Sequence, residues 1–97
     1  MSRKLPLLAL CITLCGCSSH TAYSGQVSEI RQTKGGLVID LDGTYPNQAM
    51  VVYIPRSAEY KFSTFPSIGD TLAVKGQVSQ YRGMREIVVT VPDQLEH

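Results

Sequence analysis

Hydrophobic and polar residues alternate along several stretches of this chain. Within residues 37–42 the odd positions are Leu, Ile and Leu, and the even positions are Val, Asp and Asp. Leu72, Val74 and Val78 alternate in the same way with polar residues. A period of two is typical of a strand with one buried face. Two further segments, rich in Val, Ile and Tyr, are typical of strands at least partly covered on both faces: 50–54 and 86–91.

The first predicted strand, residues 23–32, contains a break in this alternation. Positions 23, 25 and 27 share one parity, whereas Ile30 has the other. One extra residue near Ser28 or Glu29 would return Ile30 to the core and bend the strand sharply. We therefore predict a β-bulge here, as expected of a strand that is shared between the two halves of a small barrel.

Turn-forming residues separate the predicted strands. Hairpin turns are expected at 34–36 and 81–85, a longer loop at 43–48 and a turn at 68–70. The connection 55–69, between the third and fourth strands, is longer than a hairpin needs. We predict that Ser57 caps one helical turn in this connection, and that three aromatic residues close one end of the barrel: Tyr60, Phe62 and Phe65.

The pattern that follows the third connection resembles a known family. Residues 69–78 read Gly-Asp-Thr-Leu-Ala-Val-Lys-Gly-Gln-Val, and Tyr81, Gly83, Glu86-Ile87 and Val89 follow. This pattern resembles OB-fold nucleic-acid-binding domains, in particular the anticodon-binding-like branch. The resemblance implies an all-β, five-stranded Greek-key barrel over 23–97, and five strands with a long third connection are typical of that fold. A five-stranded SH3-like barrel is the alternative.

The first 16 residues differ in character from the rest of the chain. Arg3 and Lys4 form a positively charged start, and an apolar run without acidic residues extends from there to Gly16. This run has roughly half of the about 20 apolar residues that a membrane-spanning helix needs. We therefore predict that residues 1–16 are a secretion leader that is cleaved off.

The end of this leader resembles the lipobox of bacterial lipoproteins. Leu14, Gly16 and Cys17 occupy the lipobox positions, and Cys15 stands where that family usually has Ala, Ser, Thr or a small aliphatic residue. The resemblance implies that Cys17 receives a diacylglycerol and becomes the first residue of a membrane-anchored protein. By resemblance to enterobacterial lipoproteins, Ser18 in place of Asp implies the outer membrane. An ordinary secretory leader is the alternative.

Cysteine content and charge limit the properties of the remaining chain. All three cysteines lie at or before position 17, so a disulfide is not available to the domain. The small polar residues 17–22 are typical of a tether. Removal of 1–16 takes away two cations and lowers the formal charge from +1 to −1. The domain is therefore not basic, which argues against strong general attraction to nucleic acid or anionic lipid.

OB-fold domains commonly bind ligands across strands two and three and through the flanking loops. Asp40 and Asp42 are expected to project from this face, where they would repel a phosphate backbone. Cations and tyrosines at the edges of the face and in nearby loops form the candidate ligand site: Arg31, Lys34, Tyr45, Tyr53, Tyr81, Arg82 and Arg85. A purely structural role for these residues is the alternative.

Two partner classes fit this candidate site. One is single-stranded nucleic acid, which the family resemblance implies. The other is a protein of the envelope that docks in a groove or at an open barrel edge. For the second class, we expect the contacts to be apolar or aromatic: Val38, Val51, Tyr53, Tyr81 and Met84.

Catalytic residues are scarce after position 17. His20 lies in the predicted tether and His97 is the last residue, so a serine or cysteine nucleophile would lack a base held in fixed geometry. Asp40 and Asp42 project from one predicted face, but alternating exposed aspartates on a strand are usually solubilising. The spacing of Cys and His residues does not suggest a metal site. We expect no enzymatic activity, no metal and no cofactor.

Overall fold

Seven strands, hydrogen-bonded into a single curled sheet, form an all-β half-barrel in the computed structural model, which describes residues 21–97. The strands are β1 (Thr21–Gln32), β2 (Gly36–Leu41), β3 (Met50–Pro55), β4 (Thr71–Lys75), β5 (Val78–Tyr81), β6 (Met84–Val88) and β7 (Leu95–Glu96). A short helix, α1 (Arg56–Glu59), follows β3, and a 3-10 turn (Pro92–Gln94) precedes β7. Within the described range, none of the helices is long and apolar enough to cross a bilayer. The predicted leader and Cys17 lie outside the described residues.

The order of the strands explains the curvature of the sheet. Neighbours follow the order β5-β6-β3-β2-β1-β4-β7, and each pair is antiparallel except β3 and β6, which are parallel. Strands β5 and β4 are distant in this order, yet only residues 76–77 separate them in the chain. The sheet therefore curls back on itself through this two-residue connection.

The predicted number of five strands is wrong. The predicted fourth strand is divided at Gly76 into β4 and β5, and residues near the end of the chain add β7. Gly76 has φ +138°, and a Cβ atom there would lie 2.9 Å from both Ile87 and Gln94 side chains. Only glycine tolerates this conformation and this close approach, so the chain bends at Gly76 and interrupts the strand.

The predicted bulge in β1 is confirmed. Val27 pairs with Leu41 and Glu29 pairs with Asp40, which leaves Ser28 as the extra residue. Before the bulge β1 pairs with β4, and after it β1 pairs with β2. The strand begins at Thr21, two residues before the predicted start. It is therefore shared between both halves of the sheet, as the sequence predicts.

The core lies inside the curled sheet. The alternation in β2 and β4 correctly predicts Ile39, Leu41, Leu72 and Val74 as core residues, since each is fully buried. Val78 was expected to share this face, and that expectation is wrong because its side chain is 40% exposed. All four residues of β5 are exposed beyond the bend after β4, so parity no longer places a side chain in the core there.

The connection between β3 and β4 differs from the prediction in its cap. Helix α1 begins at Arg56 after Pro55 and has no side-chain cap, so the predicted role of Ser57 is wrong. The backbone N–H of Arg56, at the start of the turn, instead donates a hydrogen bond of 2.8 Å to the carbonyl oxygen of Gly35. The helical turn itself is present where the sequence predicts one.

The residues that α1 and its continuation bury also differ from the prediction. Ala58 and Phe62 are buried in the core, whereas Tyr60 is 81% exposed. Phe65 is exposed at its edge and stacks on Phe62 with ring centroids 5.5 Å apart. Positions 58 and 62 are four apart and share one side of a helical turn, so Tyr60 is carried to the opposite side. Tyr60 therefore does not close the barrel.

Candidate ligand-binding groove

An open groove of about 810 Å³ crosses the outer surface of β2, β3 and β6 and ends at the β5–β6 hairpin. Val38, Tyr53 and Val88 form one row across it, because each pairs in register with the next. Val51 lies in the next row and is nearly buried, as is Val38. Residues that pair in register project from the same face of a sheet. Side chains from three strands thus form the apolar floor of the groove.

Three tyrosines surround this floor. Tyr53 comes from β3, Tyr45 from the loop before β3, and Tyr81 from the end of β5. The hydroxyl group of Tyr53 donates a hydrogen bond of 2.8 Å to the carbonyl oxygen of Gly35, which holds its ring against the β1–β2 hairpin. Tyr45 and Tyr81 are both more than half exposed. Their rings are therefore available to a ligand.

Two arginines lie over two of these rings. The guanidinium carbon of Arg31 is 4.7 Å from the centre of the Tyr45 ring, and that of Arg82 is 5.3 Å from the centre of the Tyr81 ring. Such distances are typical of cation–π contacts. The two Arg–Tyr pairs flank opposite ends of the groove, one near β1 and one at the β5–β6 hairpin.

Asp40 is fully buried, so its predicted exposure is wrong. The guanidinium of Arg31 donates to both of its carboxylate oxygens, at 2.8 and 2.9 Å, and the amide of Gln48 donates a third hydrogen bond at 2.9 Å. The hydrogen bonds that Arg31 donates to Asp40 raise the pKa of the guanidinium above its usual value. The arginine on β1 covers the carboxylate and neutralises it, so Asp40 does not repel a ligand phosphate.

Asp42 lies apart from Asp40, so the predicted acidic pair on one face is wrong. Strand β2 ends at Leu41, and Asp42 has φ +54°, which turns its side chain away. Its carboxylate accepts hydrogen bonds from the backbone N–H of Gln26, at 3.0 Å, and from the hydroxyl of Tyr23. The bond from Gln26 and then that from Tyr23 lower the pKa of Asp42. Its role in this structure is to tie the end of β2 to β1.

Two of the predicted ligand residues also lie away from the groove. Lys34 is exposed in the β1–β2 turn, and Arg85 lies over the ring of Tyr23 at 5.9 Å. Arg85 has the opposite parity to Met84 and therefore projects from the other face of β6. The structure brings together the other five candidates at the groove: Arg31, Tyr45, Tyr53, Tyr81 and Arg82.

Glu86 lines the groove and was missed by sequence reasoning. It pairs in register with Val51 on β3 and Ser79 on β5, and its side chain is half-buried. Burial raises the pKa of the Glu86 carboxyl above its usual value. The available signal was the parity of β6, since Met84, Glu86 and Val88 alternate with residues of the other face and all line the groove.

Gln48 is a second groove residue that sequence reasoning missed. Its amide nitrogen is bonded to Asp40, but its oxygen Oε1 is buried and has no hydrogen-bond partner among the described residues. A buried acceptor without a partner costs about 1–3 kcal/mol relative to a satisfied one.

Potential metal ligands are dispersed: in residues 21–97, His, Cys, Asp and Glu side chains do not form a group of three that could hold an ion. The Nδ1 atom of His97 lies 3.9 Å from a carboxylate oxygen of Asp70, and neither residue lines the groove. Comparisons with known protein families, curated proteins and solved structures find no match to this chain.

Proposed function

We propose that this protein is a non-enzymatic binding protein of the bacterial envelope. In this proposal residues 1–16 are cleaved, Cys17 carries the lipid that holds the protein in the outer membrane, and residues 17–22 tether a periplasmic domain. The single observation that supports a binding role is the groove, whose apolar floor is surrounded by tyrosines and arginines. Concave, mostly apolar sites with a few polar groups are typical of ligand binding.

We further propose that the domain is a barrel of the OB type. When β4 and β5 are counted as one strand bent at Gly76, the path β1-β2-β3-β6-β5/β4-β1 is closed. The long connection between β3 and β4 and the shared strand β1 agree with this assignment. Strands β2 and β3 then form the surface across which OB-type domains commonly bind extended ligands.

The charges of the groove favour an extended polypeptide segment as the ligand. Arg31 neutralises Asp40, and the opposite charges of Arg82 and Glu86 sum to zero without forming an ion pair, so the groove has no net formal charge. A nucleic-acid surface needs an excess of positive charge, whereas protein interfaces combine apolar and aromatic contacts with few net charges. The exposed strand β5 also has one free edge, where an extended segment can add backbone hydrogen bonds.

Single-stranded nucleic acid is the second candidate, because the two Arg–Tyr pairs resemble platforms for base stacking. Stacking of one base on an aromatic ring contributes about 1–3 kcal/mol. With Arg31 occupied by Asp40, and with Lys34 and Arg85 not lining the groove, Arg82 is the candidate cation that remains there for a phosphate. The slope of log affinity against log salt for a single strand would then be about −0.7.

A parallel binding assay tests the role of the groove. The full chain, purified in detergent micelles, is used to select from a library of displayed random peptides and is titrated with a labelled polythymidine oligonucleotide. We expect wild type to enrich peptides from the library and the double variant Tyr53→Ala/Tyr81→Ala to lose this enrichment. Binding of the oligonucleotide alone, with a salt slope of about −0.7, would favour the second candidate. If neither ligand distinguishes wild type from the variant, the groove is not the binding site.

Mass spectrometry and membrane fractionation test the anchor. We expect the N-terminal peptide of the purified protein to begin at Cys17 with acyl chains attached, and Cys17→Ser to release the protein from membranes. Cys15→Ser is the matched control and should remain anchored. An unmodified mature terminus, or membrane association of Cys17→Ser equal to that of wild type, would exclude lipidation at this position.

A further inference from the structure

Glu86 is the one carboxylate on the groove surface that has no ion-pair partner among the described residues. The only ion pairs between side chains in that range join Arg31 to Asp40 and His97 to Asp70. On β6 the neighbouring Arg85 projects from the opposite face, and Arg82 lies over the Tyr81 ring. The residues in register with Glu86 on the adjacent strands are Val51 and Ser79, which are uncharged.

A ligand seated in the groove would remove Glu86 from water. The same ligand covers the apolar side chains on either side of Glu86 in β6, Met84 and Val88. Burial of an ionised carboxylate without a partner is strongly unfavourable, and an opposite charge on the ligand offsets that cost. An entirely apolar or acidic segment would therefore bind poorly, whereas one with a cation at this point would bind well.

We propose that the groove selects extended polypeptide segments that carry a lysine or arginine, and that the carboxylate of Glu86 pairs with this basic side chain. The inference rests on the proposed function, since it identifies the chemistry of the segment that the groove holds. Glu86 sets the specificity of the site, and the apolar floor and tyrosines supply the contact area.

Peptide selection with matched variants tests this pairing. Three proteins are compared: wild type, Glu86→Gln and Glu96→Gln. Each is prepared as the full chain in detergent micelles and presented with the same library of displayed random peptides. Glu96 is an exposed carboxylate on β7 and serves as the control for loss of one negative charge. Circular dichroism confirms folding of each variant. The enriched peptide is then synthesised with its basic residue retained or replaced by glutamine, and its affinity is measured by fluorescence anisotropy.

The expected result is enrichment of lysine or arginine at one peptide position by wild type and by Glu96→Gln. Affinity should fall about tenfold in Glu86→Gln, and replacement of the basic residue in the peptide should cause no further loss in that variant. Glu86→Lys should instead enrich acidic residues at the same position. Enrichment without a preference for basic residues would overturn this inference while the binding role of the groove stands. Binding of the oligonucleotide without any enriched peptide would overturn this inference in favour of nucleic acid, and absence of binding by either ligand would overturn the binding role of the groove as well.

Discussion

Arg31 and Asp40 form a two-contact ion pair diagonally across β1 and β2. Arg31 lies opposite Val38 in the strand register, two residues from Asp40, and its guanidinium reaches the carboxylate at 2.8 and 2.9 Å. The Asp40 side chain is fully buried, whereas that of Arg31 is 32% exposed. The arginine therefore covers a carboxylate in the wall of the groove and supports the Tyr45 ring on its outer side. The same pair serves both the stability of the sheet and the shape of the groove.

Replacement of Arg31 should destabilise the fold. Arg31→Ala leaves the buried carboxylate of Asp40 with only the amide of Gln48, and we expect the free energy of unfolding to fall by about 3 kcal/mol. Urea denaturation followed by circular dichroism measures the change. Lys34→Ala, in the exposed turn nearby, is the control and should stay within about 0.5 kcal/mol of wild type. Equal stability of the two variants would show that the ion pair does not stabilise the sheet.

Replacement of Glu86 should stabilise the fold at neutral pH. Burial raises the pKa of this carboxyl in the folded state above its unfolded value, so the ionised form opposes folding. The cost is fully present above the folded-state pKa and disappears as the pH falls through that pKa to the unfolded value. Glu86→Gln should therefore have a higher free energy of unfolding than wild type at pH 7, by up to about 0.5 kcal/mol, and a higher melting temperature. Both differences should disappear in acid.

Thermal melts of both proteins across this pH range measure the effect of Glu86→Gln. Glu96→Gln provides the control, because we expect its melting temperature to follow that of wild type at every pH. A Glu86→Gln variant that is less stable than wild type at neutral pH would mean that the carboxylate makes a favourable contact within the domain.

Two glycines with positive φ should differ in their tolerance of alanine. At Gly36, φ is +151° and a Cβ would overlap the carbonyl oxygen of Ile54, whereas at Gly83, φ is +82° and a Cβ would meet open space. We expect Gly36→Ala to cost about 3 kcal/mol and Gly83→Ala about 1 kcal/mol, because only the first adds a backbone clash to the conformational strain. Chemical denaturation of both variants provides the comparison. Similar costs would mean that the β1–β2 hairpin relaxes around the added methyl group.

Loss of an aromatic ring from the groove should weaken binding without destabilising the domain. Tyr81 is more than half exposed at the hairpin and lies beside Arg82, so Tyr81→Ala removes ligand contact area and little core packing. For peptides enriched by wild type, we expect the dissociation constant to rise at least about tenfold. Tyr60→Ala removes a more exposed tyrosine outside the groove and should bind as wild type does. Equal losses in both variants would indicate nonspecific adhesion to tyrosine.

Much of the fold could be predicted from local sequence. The alternation in residues 37–42 correctly places Ile39 and Leu41 in the core, and the parity change after Val27 correctly predicts the bulge at Ser28. Positive φ at Gly83 follows from its place in a two-residue turn. These features depend on side-chain direction along one strand and on the conformations open to single residues, which the sequence encodes directly.

The composition of the site could be predicted only in part. Five of the seven candidate residues line the groove, whereas Lys34 and Arg85 do not, and the sequence did not identify Glu86 or Gln48 as groove residues. Local parity indicates that a residue points away from the core. It does not indicate whether another strand covers that outer face or leaves it in water.

The bulge in β1, the inward faces of β2 and β4, and the hairpin turns at 34–36 and 81–85 were determined by the sequence alone, because each depends on residues within a few positions of one another. Only the tertiary structure decided that Asp40 is buried beneath Arg31, that Val78 is exposed, and that Glu86 lies unpaired in a groove. These outcomes depend on which strands become neighbours and on where the sheet bends. Contacts between residues distant in the chain determine both, since they set the surroundings of each charge and each apolar side chain.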